Sequence, residues 1–183
     1  RGLRAHYRCA GGWQALAKQR RARHCSPATG RPDLANYTFE DFTPGRRFEF
    51  TKRTLTADAI IAFAGEFDPQ PMHLDEEAGR NSILGGLAAS GWHTCAMFMR
   101  MLCDAVVSDS TSQGVPGVDQ VRWKKPVLAG DTLTGRCTVL SKRLSRSRPQ
   151  LGFVTTHSEL FNQRGESVFE LDNTAMFLTR EAA

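Results

Sequence analysis

Between positions 47 and 55 the chain alternates. Phe48, Phe50 and Leu55 stand among Arg47, Glu49, Thr51 and Arg53, the two-residue period of a half-buried strand. The pattern then changes. Thr56 precedes Ala57-Asp58-Ala59-Ile60-Ile61-Ala62-Phe63-Ala64. A Thr cap, an acid in the first turn and apolar positions at 60, 63 and 64 predict a helix, with Gly65 as its expected end. Asp68 to His73 carries two prolines and is expected to be an extended loop, followed by a short helix over 75–80 that Gly85-Gly86 breaks.

From Gly91 the run Trp92-His93-Thr94-Cys95-Ala96-Met97-Phe98-Met99-Arg100-Met101-Leu102-Cys103 carries a single charge. A helix so apolar is expected to be buried on most sides, inside a sheet wrapped around it. The remainder reads as four strands, 115–123, 132–142, 151–162 and 167–178. Turn signals at Pro126 with Gly130-Asp131, at 145–149 and at Gly165 separate them. Leu133/Cys137/Val139 and Phe169/Leu171/Ala175/Phe177 alternate most clearly. Short links imply antiparallel neighbours. Strand, helix, central helix and four strands make an α+β domain, one antiparallel sheet curled around one long helix.

The chain of 183 residues suits one domain of ordinary size, and 40% hydrophobic and 23% charged residues are those of a globular protein. The net charge of +5 changes meaning once divided. Residues 1–31 hold eight basic residues and no acid, which leaves 16 basic and 19 acidic residues in 32–183, a net of −3. The body therefore gives no electrostatic support to nucleic-acid binding. No stretch approaches the ~20 apolar residues of a membrane span, so no membrane partner is expected. For the basic extension three readings stay open: a mitochondrial-type targeting peptide, an upstream extension without function, or an arm for an acidic partner. Five scattered cysteines (Cys9, Cys25, Cys95, Cys103 and Cys137) form no CxxC pair. They read as free thiols in a reducing, cytoplasmic compartment, and no metal site is expected.

Chemistry concentrates in Asp68-Pro69-Gln70-Pro71-Met72-His73 and in Gly85-Gly86-Leu87-Ala88-Ala89-Ser90-Gly91. Taken singly, Asp68 closes a turn and His73 is an ordinary loop histidine. Together they are an acid–base pair five positions apart, and Gly91 opens the apolar helix with an unpaired N–H at the positive end of its dipole. His93 and His157 read as packed. Met97, Met99 and Met101 read as core or as the lining of an apolar tunnel. Arg122, Lys124 and Lys125 form a compact basic cluster suited to phosphate groups or simply to a solvated face. Arg143, Arg146 and Arg148 form a second such cluster.

These motifs resemble the MaoC-like dehydratases, including the R-specific enoyl-CoA hydratases of the hot-dog fold. The hydratase motif, roughly Asp-x-Asn-Pro-x-His followed by a small-residue segment, stands here as Asp68 to His73 and Ala88 to Gly91. Arg122-Trp123-Lys124-Lys125-Pro126-Val127 and Ala129-Gly130-Asp131-Thr132-Leu133 match its strand-end and turn pattern. The resemblance covers residues 36–180. Three positions depart from it: Gln70 replaces Asn, Phe67 stands where Gly is common, and Ser90 stands where many members have His.

The resemblance implies reversible hydration of a trans-2-enoyl-CoA to a 3-hydroxyacyl-CoA. Asp68 and His73 hold the water, with either one as the base, and the Gly91 N–H faces the thioester oxygen. Gln70, Ser90, Arg122, Lys124 and Lys125 are the expected substrate contacts. No cofactor is implied beyond the coenzyme A of the substrate, and a homodimer or an assembly of dimers is expected. Two other activities fit the same frame, a hot-dog thioesterase and a non-catalytic acyl-CoA-binding protein.

Overall fold

The computed structural model describes residues 35–183. The basic extension, with Cys9 and Cys25, lies outside the described residues. A short 3₁₀ turn, Phe39–Asp41, leads into β1, Arg47–Thr54. Two helices carry most of the remaining first half: α1, Ala57–Phe67, and α4, Gly91–Ala105. Between them lie one turn of helix, α2, Pro71–Leu74, and a short helix, α3, Glu76–Arg80. Four strands follow: β2, Val118–Trp123; β3, Thr132–Leu144; β4, Leu151–Phe161; and β5, Ser167–Leu178. They form one antiparallel sheet with β1, in the order β1-β3-β4-β5-β2.

Thr56 caps α1 as the sequence predicts, its hydroxyl accepting from the Ala59 N–H at 3.2 Å. The helix does not end at Gly65. It runs on to Phe67, because an interior glycine costs only about 1 kcal/mol, and stops where Pro69 forces Asp68 out of helical conformation. The proline segment also differs from expectation. Only Asp68 to Gln70 stays outside the helices, and there Gln70 alone is clearly extended. Pro71 starts a helical turn instead, its fixed φ and missing N–H being tolerated at the first helical position.

The sheet departs from a simple meander in one place. β2 does not pair with β3 but lies across the sheet beside β5, with Val121 opposite Leu171. The link from β2 to β3 is not a hairpin because its backbone is engaged elsewhere. The Ala89 N–H donates to the Val127 carbonyl at 2.8 Å and the Ala129 N–H to the Leu87 carbonyl at 2.9 Å. That link therefore straps the small-residue segment in front of α4.

One stripe of α4 packs on the sheet. Phe98 meets Phe50 of β1 and Phe169 of β5 at ring-centroid distances of 6.0 and 5.3 Å. Met101, Leu133, Val139, Val154 and Leu160 fill the space around them. The expected burial on most sides does not occur within a single chain. His93, Thr94, Phe98 and Met101 are buried, whereas Trp92 and Met99 are exposed. Among the described residues no helix is long and apolar enough to cross a membrane.

Candidate active site

Asp68 lies just past the end of α1, His73 on α2 and Gly91 at the first turn of α4. The hydrogen bonds of Gln70 set the spacing of the first two. Its N–H donates to the Asp68 carbonyl at 2.7 Å, and its own carbonyl accepts from the His73 N–H at 3.0 Å. His73 Nε2 stands 3.8 Å from Asp68 Oδ2. Its Nδ1 is 2.8 Å from the Ala88 carbonyl oxygen. A carbonyl only accepts, so Nδ1 carries a proton, and in the neutral ring Nε2 is left as an acceptor facing the carboxylate.

Both oxygens of Asp68 have donors. The Ser90 hydroxyl reaches Oδ2 at 2.5 Å, and the Gln70 amide nitrogen reaches Oδ1 at 2.7 Å. These two bonds, Ser90 first, hold the Asp68 carboxyl below the usual carboxylate range, against a smaller opposing effect of burial. Ser90 is also the N-cap of α4, accepting from the Trp92 N–H at 3.3 Å. One buried hydroxyl thus ties the carboxylate to the helix end.

Gly91 is favoured for a reason the sequence reading did not contain. A Cβ there would lie 2.8 Å from Cε2 of Trp123, whose indole N–H donates to the Gly91 carbonyl at 2.9 Å. As the first residue of α4, Gly91 has an N–H with no partner within the helix. It borders a cavity of about 420 Å³ that also receives Asp68, Gln70 and His73, with Met72, Leu84 and Val127 among its apolar walls.

The basic cluster is divided by the structure. Lys124 and Lys125 line the cavity mouth. Each is paired across to β5 or its preceding turn, Lys124 with Glu170 and Lys125 with Glu166. Hydrogen bonds from Asn162, Lys125 and Arg164 hold the Glu166 carboxyl down at about 2. Arg122 is exposed on β2 opposite Glu170 and does not line the cavity. Ser90 is buried behind Asp68 and does not line it either.

His93 is buried and stacked on Phe63, ring centroids 4.5 Å apart. His157 pairs with Asp172 on the neighbouring strand at 2.6 Å. None of Met97, Met99 and Met101 reaches the cavity, which takes Met72 instead. Trp123 and the Ala88 carbonyl are the groups bonded to the site that sequence reasoning missed. The signal for Trp123 was a Trp ending a strand just before two lysines. No side chain signals a backbone carbonyl.

The family model of the MaoC-like domain matches residues 39–160. The chain belongs to the MaoC-like domain family. The uncharacterised YdeM protein of Bacillus subtilis (strain 168) is 33% identical over 132 residues, 72% of this chain and 92% of its own length. The crystal structure of the MaoC-like dehydratase from Rhodospirillum rubrum is 43% identical. It superposes with a TM-score of 0.71 and covers 78% of this chain and 97% of its own. The R-hydratase PhaJ1 of Pseudomonas aeruginosa, at 20% identity and a TM-score of 0.65, covers 79% of this chain and 88% of its own and shares the hot-dog fold.

Proposed function

We propose that this protein is a hydro-lyase for acyl thioesters that adds water to a trans-2-enoyl-CoA and, in reverse, dehydrates the 3-hydroxyacyl-CoA. The observation that carries the reading is the pair of acceptors, Asp68 Oδ2 and His73 Nε2, 3.8 Å apart at a cavity wall. A water placed about 2.8 Å from both donates one proton to each and turns its lone pairs toward the cavity. Membership in the same family as a MaoC-like dehydratase 43% identical over most of the chain supports the reaction class.

In the forward direction the water oxygen bonds to the β-carbon as one of its protons passes to the Asp68–His73 pair. The C=C electrons move to the thioester oxygen, where the Gly91 N–H stabilises the developing charge, an interaction typically worth ~10²–10³ in rate. A proton from the pair then reaches the α-carbon and the thioester carbonyl re-forms. The balance is one H and one OH added, with no redox change and no cofactor beyond the CoA of the substrate. In this reading Lys124 and Lys125, which line the cavity, meet the CoA phosphates by exchanging their glutamate partners for phosphate.

The working unit in this reading is a homodimer or an assembly of dimers. β2 is an edge strand with Val118 and Trp123 exposed, and α4 leaves Trp92 and Met99 exposed beside it. An unpaired edge next to bare aromatic surface favours a second copy.

The test uses the full chain with crotonyl-CoA and longer or branched enoyl-CoAs, following loss of the enoyl absorbance and, in parallel, release of free thiol. Asp68→Asn and His73→Ala are each expected to lower the rate by ~10² or more, the size of a lost acid–base group, with unchanged circular dichroism. Thiol release that matches the absorbance loss, with no hydroxyacyl-CoA formed, would replace the reading with a thioesterase. Binding of acyl-CoA with neither signal would replace it with a binding protein.

A further inference from the structure

Gln70 is exposed, yet it bonds to both members of the acid–base pair through three separate groups. Its backbone N–H closes an i→i+2 turn onto the Asp68 carbonyl across Pro69, and its carbonyl takes the His73 N–H. Its side-chain amide takes Asp68 Oδ1. The flanking prolines restrict its conformation, since a residue before proline is held extended, here at φ −84° and ψ 142°.

Gln70 is also the N-cap residue of α2, and its side chain makes no capping bond there. Asn, Asp and Ser are good caps because their short side chains fold back onto the first turn. Gln has one methylene too many for that geometry. In this chain the extra length carries the amide to the carboxylate instead. Ser90 occupies the other oxygen from the protein side, so the carboxylate plane is gripped at both ends. The edge of Oδ2 nearest His73 Nε2 is left for water.

We propose that Gln70 is a positioning residue that fixes the Asp68 carboxylate, ionised and oriented, for the water it shares with His73. Its contribution to catalysis rests on the hydratase reading above. Its grip on the carboxylate does not. The role differs from substrate contact: Gln70 acts through Asp68, and the acyl group need not touch it. The direction in which the Asp68 carboxyl is held, below the ordinary range, agrees with this.

The test separates the two levels. The side-chain carboxyl ¹³C resonance of Asp68, assigned by its loss in Asp68→Asn, is titrated in the full-length parent, in Gln70→Leu and in Gln70→Asn. Gln70 is exposed, so both variants are expected to fold, and circular dichroism checks this. Leu removes the amide. The Asp68 titration is expected to move up toward the ordinary carboxylate range, and no movement would overturn the proposal. Asn returns a short cap to α2 and withdraws the amide from Oδ1. It is expected to raise the thermal midpoint while the titration moves as in Leu, and a parent-like titration with an unchanged midpoint would overturn the length argument.

The kinetic arm uses any enoyl-CoA that the parent hydrates. In Gln70→Leu, kcat/KM is expected to fall about tenfold, the size of one charge-assisted hydrogen bond. The acid limb of its pH profile should move with the Asp68 titration, and KM should stay put. A loss confined to KM would make Gln70 a substrate contact and overturn the positioning role. If the parent hydrates nothing, the hydratase reading fails while the titration still decides whether Gln70 holds the carboxylate.

Discussion

His93 stacks on Phe63 with its Nδ1 buried and without a hydrogen-bond partner, and burial holds its pKa below the ordinary value. In the unfolded chain the ring takes a proton below about pH 6.5, while in the folded chain it resists doing so. The stability it contributes is therefore present above about pH 6.5 and is lost as the pH falls toward its folded value. His93→Phe keeps a ring in the stack and removes the titration. Thermal melts between pH 7 and pH 5 are expected to show a smaller drop in midpoint for the variant than for the parent, and parallel curves would show that His93 does not titrate on unfolding. Asp68 has the opposite surroundings. Donors rather than apolar atoms surround it, and its lowered pKa makes its contribution complete above the ordinary carboxylate range and lost as the pH falls below it. The identities of Asp68, His73 and Gly91 stood out in the sequence because their types and spacing are chemical. The tautomer of His73 did not, because the Ala88 carbonyl that fixes it lies fifteen residues away and belongs to the backbone.

The start of α4 is the element on which the site depends. Its cap, Ser90, also binds the carboxylate, and its first residue lies under the Trp123 indole. Gly91→Ala would place a methyl group against that ring. The indole is half exposed and is able to shift, so the cost is that of a modest overpacking, about 1–3 kcal/mol. Displacement of Trp123, which bonds the Gly91 carbonyl, also disturbs the N–H proposed to face the thioester, so kcat/KM for an enoyl-CoA is expected to fall together with the melting temperature. A variant with both values unchanged would show that the contact is not constraining. The alternation along β3, β4 and β5 and the Thr56 cap were readable locally, since each depends on residues within one turn or one strand. The end of α1 was not read correctly. Gly65 predicts a stop, but helix termination here follows from Pro69, four residues on, and a Cβ at Gly65 would meet nothing nearer than 4.0 Å.

At the scale of the whole molecule the cavity mouth carries its cations already paired. Lys124→Ala and Lys125→Ala are expected to raise KM for CoA thioesters with little change in kcat, and the effect should shrink as salt rises, since exposed charges are screened. Equal loss at low and high salt would argue against a phosphate contact. The exposed edge of β2 and the bare face of α4 lead to a second expectation. Light scattering should return at least twice the chain mass of 20.3 kDa, and a monomer at all concentrations would remove the proposed assembly.

The sequence by itself determined the class of every strand and of the two long helices, though not of the helical turn Pro71–Leu74, and the chemistry of the principal motif, because both are written in local periods and in residue types that do little else in that combination. Tertiary structure alone decided that β2 crosses to the far edge of the sheet, that the β2–β3 link straps residues 87–89, and that Ser90 and Gln70 divide the two oxygens of Asp68. It also decided that only one stripe of the apolar helix is buried within the chain. These depend on which groups meet in space, and a hydrogen bond between residues twenty or forty positions apart, such as Ser90 to Asp68 or Ala89 to Val127, leaves no period in the sequence to read.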